Sequence, residues 1–193
     1  MKEKPLEERR KALEEDFFRR ESEAKLAKLR AKKEREALAA ATGLADGELV
    51  ERLHALGVRA ESLEALVHAP LVSVAWADGK LDPEERSAVR EAADAAGLRA
   101  GTAPRALLER WLDEPPGGLF DAWERFLTEA WRGPRDAARR RAVEELLRGR
   151  LRDVAVASGG FDGLGRISRA EADALVRVMR AFLESREPAS GDR

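Results

Sequence analysis

The chain has 193 residues, no cysteine and no tyrosine, and is 44% hydrophobic and 38% charged, with a formal net charge of −1. Disulfides, thiolate metal sites and a cysteine nucleophile are therefore excluded, and a composition rich in Ala, Leu, Glu and Arg predicts helices throughout. No apolar run approaches the roughly 18 residues of a membrane span, and Met1-Lys2-Glu3-Lys4-Pro5 opens onto charge rather than a signal peptide, which predicts a soluble, cytoplasmic protein.

The near-neutral total hides an asymmetry. Residues 1–37 carry 13 basic and 10 acidic side chains, so the remainder is net acidic. Residues 1–41 read as one long charged helix, with opposite charges three or four apart and a thin apolar stripe of Leu6, Leu13, Phe17, Ala24, Ala31 and Leu38. Phe18, Leu26 and Leu29 fall off that stripe, which points to self-association or to a docked partner. Glu14-Glu15-Asp16-Phe17-Phe18-Arg19-Arg20-Glu21, followed by Leu26-Ala27-Lys28-Leu29-Arg30, resembles the inhibitory helix of the mitochondrial F-type ATPase inhibitor family. That resemblance implies that Phe17, Phe18, Leu26 and Leu29 anchor the helix in a partner's groove. The family's pH-sensitive histidines have no counterpart, because Ala31, Lys32 and Lys33 occupy the equivalent stretch.

Residues 42–59 predict a short connecting helix, capped by Asp46 and ending at Gly57. A further helix follows with Leu63, Leu66, Val67, Leu71, Val74 and Ala75 at buried-face spacing, and Pro70 predicts a kink or split within it. His68 lies near that stripe and reads as a hydrogen-bonded histidine at the core margin. Helices are predicted from Asp82 to Gly97, from about Thr102, over 119–132 and over 134–157. A further, final helix begins at the capping box Ser168-Arg169-Ala170-Glu171. The four tryptophans read as core residues, and residues 187–193 as a disordered tail.

The densest signal is Val74-Ala75-Trp76-Ala77-Asp78-Gly79-Lys80-Leu81-Asp82-Pro83-Glu84-Glu85. Gly79 suits a left-handed helix end, Asp82 an N-cap, Pro83 the first helical position and Glu85 the capping-box partner. Val154–Gly159 and Arg166–Glu171 repeat the arrangement with a longer loop, so two helical hairpins are expected. The turn resembles the signature of the TerB-like tellurite-resistance domains, small helical modules of bacterial stress proteins, over about residues 60–185. The resemblance implies an all-α bundle of helical hairpins at 60–186, behind the long N-terminal helix. It also implies an acidic, metal-associated patch.

Asp78, Asp82 and Glu85 offer hard oxygen ligands suited to calcium or another divalent cation. Val74 and Trp76 stand where a calcium-binding helix–loop–helix needs acidic ligands, so helix capping and a weak cation site both remain open readings. Between Arg132 and Arg152, eight arginines face three acids, and Arg135, Arg139, Arg148 and Arg152 share helical spacing. That stripe suits an anionic membrane surface or a solvated face; without interleaved aromatics, and in a slightly acidic chain, it argues against nucleic acid. No serine elbow, phosphate loop or paired zinc histidines are present, which argues against catalysis. The expectation is a non-catalytic interaction module of a stress-response or membrane-associated complex, with inhibition of the F-type ATP synthase as the alternative.

Overall fold

The computed structural model describes residues 4–132 together with positions 173, 176, 177 and 180. Among the described residues there are six α-helices, one 3₁₀ segment and no strand. The helices are α1 (Lys4–Thr42), α2 (Gly47–Ala55), α3 (Ala69–Ala75), α4 (Pro83–Ala95), α5 (Ala103–Asp113) and α6 (Leu119–Arg132), and the 3₁₀ segment covers Ala60–His68 between α2 and α3. The expected all-α architecture is what the chain adopts. The second hairpin turn, the helix over 134–157 and the tail at 187–193 lie outside the described residues.

Local chemistry sets most of these boundaries. At the end of α1, the Thr42 hydroxyl donates to the Leu38 carbonyl (2.8 Å) and accepts from the Leu44 amide, while Gly43 turns the chain. Asp46 then caps α2, its Oδ1 accepting from the amides of Glu48 and Leu49 at 3.0 and 3.1 Å. The predicted split at Pro70 is present: the 3₁₀ segment stops at His68, and Pro70 falls in the first turn of α3, where its missing N–H costs nothing.

One glycine is dictated by its left-handed backbone conformation. Gly57 has φ +88°, and a Cβ there would fall 1.6 Å from the Arg110 guanidinium. That guanidinium donates to the Leu56 carbonyl at 3.1 Å, and Trp111 Nε1 donates to the same oxygen at 3.0 Å. The end of α2 is thus clamped by α5 through one carbonyl. Trp111 is fully buried, so its N–H had to find an acceptor.

The core gathers Leu38 from α1, Leu49 and Leu53 from α2, Leu66 from the 3₁₀ segment, Val72 from α3, Leu108 and Trp111 from α5, and Trp123 and Leu127 from α6. In outline, α5 lies on the 3₁₀ segment, α6 lies on α2 and α3, and the end of α1 lies on α2 and the 3₁₀ segment. Each fully buried leucine contributes about 1.5–3 kcal/mol. His68 is fully buried, deeper than the core-margin position its sequence context predicts. Trp111 and Trp123 are buried as expected, whereas Trp76 at the acidic turn is only half-buried.

Ion pairs tie α4 to α5. Arg90 forks onto Glu109 (2.6–3.1 Å), Arg105 reaches both Glu109 and Asp94, and Arg86 binds Asp113 at 2.7 Å and the Leu112 carbonyl at 2.8 Å. On the far side, Arg177 reaches Asp121 and Glu124 of α6 and stacks over Phe120, its guanidinium carbon 4.4 Å from the ring centre.

Candidate functional site

α1 is 39 residues long, roughly 58 Å at the usual helical rise. Among its described side chains, those at its C-terminal end join the core. Leu38 is 0% exposed, whereas Leu13 is 71%, Phe17 64% and Phe18 61% exposed, and Leu26 and Leu29 are exposed as well. Large apolar side chains on a projecting helix mark a binding surface more specifically than isolated surface leucines do. Phe17 and Phe18 meet edge to face, with ring centres 5.8 Å apart.

The free part of α1 is held helical by its own charges. Asp16 pairs with Arg19 and Arg20, Glu21 with Lys25, Lys11 with Glu15, and Lys32 with Glu36. Such exposed pairs are individually weak, but they recur between Arg10 and Glu36. Helical spacing places Leu13, Phe17, Ala24 and Ala31 in line with the buried Leu38, and Phe18 and Leu29 on the opposite face.

Where α1 meets the domain, Glu34 acts as a bridge. Its Oε2 accepts from His54 Nε2 at 2.8 Å and from Arg59 Nε at 2.7 Å, so one carboxylate joins α1 to both ends of the α2 connection. The His54 hydrogen bond is the main reason that Glu34 is held below the usual carboxylate range, with Arg59 adding to the effect against desolvation. Sequence reasoning missed this bridge. Its only signal is a lone acid, Glu34, between Lys32-Lys33 and Arg35.

The acidic turn has the predicted geometry. Gly79 sits at φ +84°, Asp82 Oδ1 accepts from the amides of Glu84 and Glu85 (2.8 Å each), and Glu85 Oε2 accepts from the Asp82 amide at 2.9 Å. Asp78 Oδ1 accepts from the Lys80 amide at 2.9 Å. Each of the three carboxylates thus has one oxygen committed to a local backbone N–H. Among the described residues, no group of three or more His, Asp or Glu side chains is gathered in a way that would hold a metal ion. Arg135, Arg139, Arg148 and Arg152 lie outside the described residues.

Residues 7–108 match the family model described as tellurite resistance protein TerB, a stretch that takes in α1, the acidic turn and most of α5. The chain belongs to the TerB family. The match covers more than half of the chain, and it begins on the projecting helix rather than after it. In this TerB-family protein, therefore, the exposed helix and the capped turn lie within one matched stretch. No curated protein and no solved structure matches the chain. Among the described residues, no helix is long and apolar enough to cross a membrane.

Proposed function

We propose that this TerB-family chain is a non-catalytic interaction module that engages a protein partner through α1, within a stress-response complex of the kind the tellurite-resistance description suggests. The observation that carries the reading is the contrast along α1: Leu38 is wholly buried, while Leu13 and Phe17, on the same line of the helix, are exposed. A helix that offers apolar anchors at three-to-four spacing suits the helix-in-groove mode of recognition. The chain's titratable side chains support the reading through the roles they already fill. His54 and Glu34 fasten α1, Asp46 and Asp82 cap helices, and Glu109 binds two arginines.

The acidic turn acts as a capping device that closes the α3–α4 hairpin, because each of its three carboxylates accepts a backbone N–H. The docking role is tested by capturing partners from the native cell with the full chain and with the full-length Leu13→Glu/Phe17→Glu variant. A partner that binds the first and is lost from the second is the expected result. An identical set of partners on both baits would move the docking surface off this face of α1.

A further inference from the structure

The face of α1 opposite Leu38 carries an ordered series of its own. Lys11, Glu15, Phe18, Ser22, Lys25, Leu29, Lys32 and Glu36 follow one another by alternating steps of four and three, and all are exposed. That is the 3.5-residue spacing of a coiled-coil seam. We infer that this seam binds the same seam of a second copy of the chain, running antiparallel about a centre between Glu23 and Ala24. The inference rests on the reading of α1 as a docking helix and names the occupant of its outer face.

Charge complementarity sets the direction of the pair. In a parallel, in-register pair each residue would meet itself, so Lys11, Glu15, Lys25, Lys32 and Glu36 would all face a like charge. Turned end for end, Lys11 meets the partner's Glu36, Glu15 meets the partner's Lys32 and Phe18 meets the partner's Leu29. Ser22 then meets the partner's Lys25, and symmetry repeats all four pairings. Opposite charges meet at both ends, and the two large apolar side chains of the seam cover each other.

The intrahelical pairs already present fit this arrangement. Lys11 lies 3.9 Å from Glu15, and Lys32 lies 3.8 Å from Glu36. Brought together antiparallel, these two pairs close a four-membered ring of alternating charge at each end of the seam. Among the described residues the outer face also stays clear of the core, because α1 packs through Leu38 on the other side and Glu36, Ala37 and Ala40 are exposed. The whole helix can therefore lie against a second copy, with the two domains held apart at opposite ends. Few apolar side chains are buried, so the association is concentration-dependent and weakens with salt.

Sedimentation equilibrium of the full-length purified protein at low ionic strength tests the inference. The mass is expected to rise from the 21.3 kDa monomer toward twice that value as concentration increases. Phe18→Glu and Glu15→Lys should each return the protein to monomer with an unchanged circular dichroism spectrum, while Leu13→Glu should leave the dimer intact. Glu15→Lys combined with Lys32→Glu should restore the dimer, since only an antiparallel pair places these positions together. A monomer at every concentration, a dimer indifferent to Glu15→Lys, or a double variant that stays monomeric would overturn it. None of these outcomes depends on the face that carries Leu13 and Phe17, so the heterologous docking reading stands or falls separately.

Discussion

Leu13 and Leu38 sit on one helix and nearly in line, seven turns apart, yet one is exposed and the other is wholly buried. The difference lies in what surrounds each. Leu38 is followed within one turn by Thr42 and Gly43, which end α1 and fold the chain back so that α2 and the 3₁₀ segment close over it. Leu13 has mostly charged neighbours and the likewise exposed Phe17 on its own helix, and among the described residues nothing returns to cover it. One helix thus holds two kinds of stability: tertiary packing at its C-terminal end, and a ladder of weak ion pairs along the rest. An isolated helix of the second kind is marginal in water. Its survival as a projecting element depends on the anchor at Leu38 and Glu34.

That comparison is broken most directly by truncation. Leu38→Ala should lower stability by about 2–5 kcal/mol, the cost of a cavity at a fully buried site. Leu13→Ala should stay within about 0.5 kcal/mol of the parent. Chemical denaturation of the two variants checks both, and equal losses would mean that something covers Leu13. A smaller effect sharpens the role of the acidic turn. Asp82→Ala removes the acceptor of two amides and should cost about 1 kcal/mol, with Asp82→Ser recovering most of it.

Acid provides the gentlest probe. Glu34 is held below the usual carboxylate range chiefly by His54, Glu109 chiefly by Arg90, and Asp46 chiefly by the Leu49 amide. A carboxyl group whose folded-state pKa is depressed contributes stability that is fully present above its unfolded value. That contribution is lost as pH falls through the folded value. Melting temperature should therefore hold level down to about pH 5 and decline below about pH 4. Glu34→Gln cannot lose a charge, so it should show a shallower decline, measured as thermal melts across the acid range. An unchanged slope would show that the Glu34 bridge contributes nothing to folding.

Much of this architecture was legible in the residues. The Asp46 and Asp82 caps, the Glu85 capping box, the Gly79 turn and the break at Pro70 are local devices, and each stands where its spacing placed it. Long-range features were not legible. That Trp111 and Arg110 converge on the Leu56 carbonyl depends on how α5 crosses the α2 connection, and no spacing rule encodes that crossing. The Glu34–His54–Arg59 bridge was hidden for the same reason, since Glu34 lies 20 or more residues from both of its partners in sequence. Exposure of Phe18, Leu26 and Leu29 was foreshadowed by their place off the main stripe, because a helix buried on one side has no use for a second apolar face. Phe17 lies on the stripe, and its exposure had no such signal.

Amide hydrogen exchange of the full chain, followed at low and high protein concentration, is the most direct test of α1 as a free docking helix anchored at one end. Dilute protein should exchange rapidly over residues 10–30 and slowly at Leu53 and Leu108, which are fully buried in the core. Raising the concentration should slow exchange along the seam of α1, residues 11–36, and leave the core unchanged, because only that helix gains a partner. Protection of residues 10–30 equal to that of the core at every dilution would contradict the account, since α1 would then be packed against its own chain.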